Sequence, residues 1–188
     1  MLPGGSDKVF ASSRVAVVRA AAKNLLWALG VIVTALIQTS WLDSLQIFGA
    51  IPDLNVLIVV YFALREGEER GMFTGLFGGI LEDVASNATL GHHVLGLVLV
   101  AYAVGRVRLR LLTDHPAVRV CLVFAASLLE GILFMAILFV QQPEIPALNL
   151  LAARIVPGAF YTAILTPVWF LGFDWVLRRF QSSSGGLA

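Results

Sequence analysis

The chain has little of what covalent or metal chemistry is usually built from. Its single cysteine, Cys121, lies inside an apolar run, which excludes an internal disulfide and a zinc-type cysteine pair. Of three histidines, His92 and His93 are adjacent. On a helix they point about 100° apart and do not form the i, i+4 pair that grips one metal ion. They read as polar residues where a helix begins at a membrane surface. Serine, histidine and acid never assemble into a nucleophile motif, and no glycine-rich phosphate loop is present. Charged residues make up only 13% of the chain, about half the share in a soluble domain. A formal net charge of +1 argues against a nucleic-acid binder with a broad basic surface. No enzyme activity, cofactor or metal is predicted.

What the chain does have is apolar surface. At 59% hydrophobic residues over 188 positions, a water-soluble fold of this size could not hide its own side chains. Lipid is the alternative solvent, and a hydrocarbon core about 30 Å thick asks for helices of roughly 17–25 mostly apolar residues. Six stretches answer: Asn24 to Trp41, Ile47 to Leu64, Gly71 to about Ala85, Gly91 to Gly105, Val118 to Val140, and Leu150 to Leu177. The predicted fold is therefore an all-α polytopic bundle of six transmembrane helices. Residues 1–23 read as a cytoplasmic segment, 24–180 as the membrane domain and 181–188 as a disordered Ser/Gly-rich tail, with much of Met1 to Ser13 also disordered. The first apolar run, with no small-x-small cleavage signal after it, reads as an uncleaved membrane helix. Pro157 and Pro167 predict a bent sixth helix.

Basic residues choose the topology, because loops rich in Lys and Arg stay cytoplasmic. Six crossings with the N-terminus inside leave Arg154 alone on the outer side. If the short third stretch were a reentrant loop, the cluster Arg106, Arg108 and Arg110 would have to be exported, so it is predicted to span. That cluster sets orientation by meeting anionic headgroups, or else pairs with acidic groups on a partner.

Four features could form a site. Gly71, Gly75, Gly79 and Asp83 recur every fourth residue and line up on one helix face, where another backbone could approach closely. The approaching helix could belong to this chain or to a partner. Asp53 opens the second stretch and Asp83 closes the third, near the depth of Arg154, so the three could form a polar cluster or snorkel to water separately. Glu130, mid-way along the fifth stretch, is either functional or a buried acid bonded to a neighbouring helix. Asn87-Ala88-Thr89 matches a glycosylation acceptor, a triplet common by chance.

The run Ile51-Pro52-Asp53-Leu54, with apolar residues on to Tyr61, followed by Gly79-Ile80-Leu81-Glu82-Asp83-Val84-Ala85-Ser86-Asn87-Ala88-Thr89-Leu90-Gly91, resembles the rod-shape-determining MreD family. There a Pro-Asp opens the second helix and G-x-x-x-D-x-x-S-G-x-x-L-G joins the third to the fourth. Gly79, Asp83, Ser86, Leu90 and Gly91 fit, while Asn87 stands where glycine is usual. The resemblance implies a non-enzymatic scaffold of the bacterial inner membrane, active in cell elongation and peptidoglycan synthesis. It would bind MreC directly and share an assembly with MreB, RodA and a class B penicillin-binding protein. It also implies a fold like the six-helix substrate-binding component of energy-coupling-factor vitamin transporters. A component of that kind, taking up a small molecule, is the competing expectation. It would need convergent polar groups in a pocket, of which the sequence offers few, and this chain lacks the A-x-x-x-A pattern such components carry in their first helix. A pocket holding a lipid or lipid-linked wall precursor, with Arg154 answering a phosphate, is a third.

Overall fold

The computed structural model describes residues 5–40, 50–86, 91–108, 115–144 and 146–183. All the regular structure among them is helical apart from one isolated bridge residue at Ala50. Helix α1 runs Gly5–Ser40, α2 Leu54–Glu66, α3 Glu68–Ala85, α4 His92–Arg108 and α5 Pro116–Gln141. A last rod is built from α6, Ala147–Leu150, a π-helical turn Leu151–Ile155, and α7, Val156–Ser183.

Six rods thus stand where six apolar stretches were predicted, with two differences at the ends. Helix α1 starts at Gly5, ahead of the expected span, so the backbone over Gly5 to Ser13 is helical where disorder was expected. Helix α7 likewise continues to Ser183, into the predicted tail, and 184–188 lie outside the described residues. The third difference concerns length. Three segments are long and apolar enough to cross a membrane: Ala20–Ser40, Pro116–Gln141 and Leu148–Arg179. Helix α2, at 13 residues, spans only about 20 Å. It is the centre of the molecule, with every residue from Leu54 to Leu64 buried. Val31, Leu97, Val100, Val123 and Phe170, from four other helices, pack around it.

Glycine sets how closely the rods approach. A Cβ on Gly71 would meet Ala63 Cβ of α2 at 2.7 Å, and one on Gly75 would meet the Leu97 carbonyl of α4 at 2.8 Å. On Gly79 it would meet Val94 Cα and N at 2.6 Å, and on Gly105 of α4 it would meet Glu68 Cα of α3 at 2.5 Å. The glycine row is therefore filled from within the chain, by α2 and α4, which leaves a second protein's helix no room along it. Between α2 and α3 the chain turns on Gly67 alone, at φ 105°, ψ 179°, a conformation open essentially to glycine.

Pro157 cannot donate a backbone hydrogen bond to the turn before it. The chain meets this with the π turn just upstream, in which Val156 N–H reaches back to Leu151 O.

The polar contacts sort to two ends. At one lie Lys23–Glu66 (3.4 Å), Arg70–Glu66 (3.4 Å) and Arg106–Glu68 (2.9 Å). Arg70 also covers the Trp27 ring at 4.3 Å, whose Nε1 donates to Thr74 Oγ1 at 2.8 Å. Tyr61 and Arg65 of α2 both bond Asp174 of α7 there. Arg108 and Arg119 line the adjoining cavity, and Arg110 lies outside the described residues. The opposite end carries Gln38, Asp53, Glu82, Asp83, His92, His93 and Gln141, joined by the contacts described next.

Candidate functional site

Pro52 and Asp53 are held from three directions. Asp53 caps α2, its Oδ1 accepting from Val56 N–H at 2.9 Å, which answers one of the donors every helix start leaves open. Asp53 N–H donates to Thr162 Oγ1 of α7 at 2.8 Å, and Leu54 N–H donates to Gln38 Oε1 of α1 at 2.8 Å. Gln38 in turn donates to Pro52 O at 3.4 Å. The Pro-Asp pair therefore fixes where the central helix begins relative to the first and last rods.

Asp83 does the same for α4. Its carboxylate accepts from Gly91 N–H at 2.7 Å and His93 N–H at 3.0 Å, and Gly91 makes the turn at φ 108°. Together with the close approach at Gly79, this gives the Gly79, Asp83, Gly91 spacing a physical meaning: it clamps α3 to α4 and aims the first turn of α4. The expected cluster of Asp53, Asp83 and Arg154 is not what forms. Asp83 is 1% exposed and occupied by this cap, while its neighbour Glu82 turns to Asn55 and His93.

Glu82 Oε2 accepts from Asn55 Nδ2 at 2.8 Å and lies 3.8 Å from His93 Nδ1. His93 Nδ1 is also 3.1 Å from Glu130 Oε1, and its ring stacks on Phe134 at 4.8 Å. The imidazole thus bridges carboxyl groups on α3 and α5. Both histidines do open a helix, α4, as expected, but they are enclosed and paired rather than facing outward. His92 is 7% exposed, and Gln141 Nε2 of α5 donates to its Nε2 at 3.1 Å. No sequence signal joined His93 to Glu130, 37 positions apart. The cue that could have raised it was a lone acid deep in an apolar run, which needs a partner.

Beside this bridge, between α4, α5 and the last rod, opens a cavity of about 290 Å³ whose polar lining is Asp53, His93, Ser127, Glu130 and Arg154. Arg154 sits in the π turn, a helical irregularity that often marks functional positions. The five polar side chains in this lining are more than the few that the sequence led one to expect in a pocket. Among the described residues no group of three His, Cys, Asp or Glu is arranged to hold a metal ion. Asn87, Ala88 and Thr89 lie outside the described residues.

Compared with known families, residues 19–178 match the MreD model, described as rod shape-determining protein MreD. The chain belongs to the MreD family. No curated protein and no solved structure matches it. Membership gives this MreD-family chain a role in determining rod shape, as a membrane protein of the MreBCD machinery. The match covers most of the chain, from within α1 to the last turns of α7.

Proposed function

We propose that this MreD-family chain is a non-enzymatic scaffold of the bacterial inner membrane that binds MreC and ties it to MreB filaments and to the wall-synthesis enzymes RodA and a class B penicillin-binding protein. The family match over 19–178 is the observation that carries the reading. On this reading the bundle crosses the bilayer six times with both termini cytoplasmic, resembling the substrate-binding component of energy-coupling-factor transporters in fold.

Two observations support six crossings. The outward faces of α3 and α4 are apolar, with Phe73, Phe77, Ile80, Val84, Leu95 and Leu99 exposed, a surface suited to lipid. The arginine-rich end and the acidic end are also sorted as cytoplasmic and outer faces require. Because α2, α3 and α4 bury the glycine row among themselves, MreC has to meet another surface. The test is co-purification with MreC from detergent. An intact chain that never captures MreC, even with MreC in excess, would falsify the scaffold reading.

The polar cavity favours a second reading, an uptake component that binds a small molecule. It predicts transport of that molecule by cells carrying the chain, and capture of MreC without any such transport counts against it.

A further inference from the structure

The acidic-end cavity presents a pattern of donors and acceptors that no described side chain completes. The Glu130 side chain is nine-tenths buried, and His93 takes only its Oε1. The second oxygen has no hydrogen-bond partner among the described residues. Asp53 commits Oδ1 to its helix cap, and its other oxygen has no hydrogen-bond partner among the described residues. Arg154 lines the same cavity, and its guanidinium makes no ion pair or hydrogen bond among the described residues.

A lone cation would suit the carboxyl oxygens and face Arg154 as a like charge. A lone anion would suit Arg154 and face Asp53 and Glu130. A molecule that carries both signs close together answers all three. Much of the remaining wall is apolar, including Phe134, Leu138 and Leu150, and suits a hydrocarbon chain.

We propose that this cavity binds a zwitterion whose primary ammonium donates to Asp53 and Glu130 while its anionic group meets Arg154. Two sources carry that chemistry: the phosphoethanolamine headgroup of a membrane lipid, and a soluble amino-phosphate. The apolar wall favours the lipid. The lipid source rests on the membrane placement proposed above, whereas the zwitterion site does not depend on MreC.

The full chain, purified in detergent and stripped of lipid, is offered phosphatidylethanolamine, phosphatidylcholine or phosphatidylglycerol, and retained adducts are read by native mass spectrometry. Phosphatidylethanolamine is expected to be retained about tenfold over the other two, since a quaternary ammonium has no N–H to donate and glycerol has no charge. Arg154→Gln and Glu130→Gln should each lower retention about tenfold, the loss of one charge-assisted hydrogen bond. Arg154 is exposed, so its variant keeps the test open if Glu130→Gln disturbs packing, with helix content followed by circular dichroism. Free phosphoethanolamine that displaces the lipid supports the site with a soluble source, and failure to displace it supports the lipid source. Equal retention of the three lipids, or retention indifferent to both substitutions, overturns the proposal. So does displacement by spermidine alone, which would point instead to a basic side chain of a partner helix. Binding in detergent needs no bilayer orientation, so this failure is separate from that of a topology reporter or an MreC capture.

Discussion

Gly79→Ala places a methyl group where α3 and α4 touch. The new Cβ would lie 2.6 Å from Val94 Cα and N and 3.0 Å from the His93 carbonyl carbon, all backbone atoms that cannot rotate away. Carbon atoms settle at about 3.5–4.0 Å, so α4 has to withdraw by about 1 Å at this level. That movement stretches the 3.0 Å bond from His93 N–H to Asp83 beyond hydrogen-bonding range and draws His93 away from Glu130. Overpacking costs about 1–3 kcal/mol, and a hydrogen bond to a charged group about 1.5–3 kcal/mol more. Helix propensity returns about 1 kcal/mol on replacing glycine by alanine. The net loss is about 2 kcal/mol or more. Gly172→Ala is the matched control, because nothing lies within 4 Å of its Cβ position and only the propensity gain remains. Thermal unfolding in mild detergent, followed by tryptophan fluorescence, should drop by roughly 4–8 °C for Gly79→Ala and rise by roughly 2–4 °C for Gly172→Ala. A Gly79→Ala chain as stable as the parent would refute the packing argument. Unchanged stability with weakened MreC capture would further mark the glycine row as a partner surface.

Asp53→Ala removes the cap of the central helix and should cost about 1 kcal/mol in the same unfolding assay, while Asp53→Asn, which can still cap, keeps most of it. Gly67→Ala forces a side chain into φ 105° and should cost about 1–3 kcal/mol, read as a fall in the unfolding midpoint. A double-mutant cycle over His93→Ala and Glu130→Gln should show a coupling of about 0.5–3 kcal/mol, and strictly additive losses would mean that the bridge contributes nothing. A reporter fused after Phe180 should read as cytoplasmic, and a periplasmic signal would remove the six-crossing topology.

The sequence carried much of this architecture because its strongest signals are local. Each apolar run became a rod, and Pro52-Asp53 sits where α2 starts because capping chemistry is written within a few residues, whereas Asp83, in the last turn of α3, reaches across to the start of α4. The four-residue glycine period likewise foretold a close approach, although period alone could not say which helix would come. What escaped was relational. His93 and Glu130, or Tyr61 and Asp174, separated by 113 positions, meet only because the bundle folds back on itself. The different roles of Asp83 and Glu82 escaped for the same reason. Adjacent acids on one helix end differ in direction by about 100°, and which of them caps and which faces inward depends on where α4 lies. The helical stretch of Gly5 to Ser13 was missed because small and polar residues give no apolar period to read.

The enclosure of α2 bears on how the molecule is made. It leaves the ribosome long before α5 and α7, yet Thr162 and Asp174, which bind its two ends, belong to the last helix synthesised. Until that helix arrives, Asp53 N–H lacks its acceptor Thr162 and Tyr61 its acceptor Asp174, and hydrocarbon would penalise both. A nascent chain halted after α5 should therefore stay beside the insertion machinery or be destroyed, so that completion of the final rod decides whether the protein is released into the membrane.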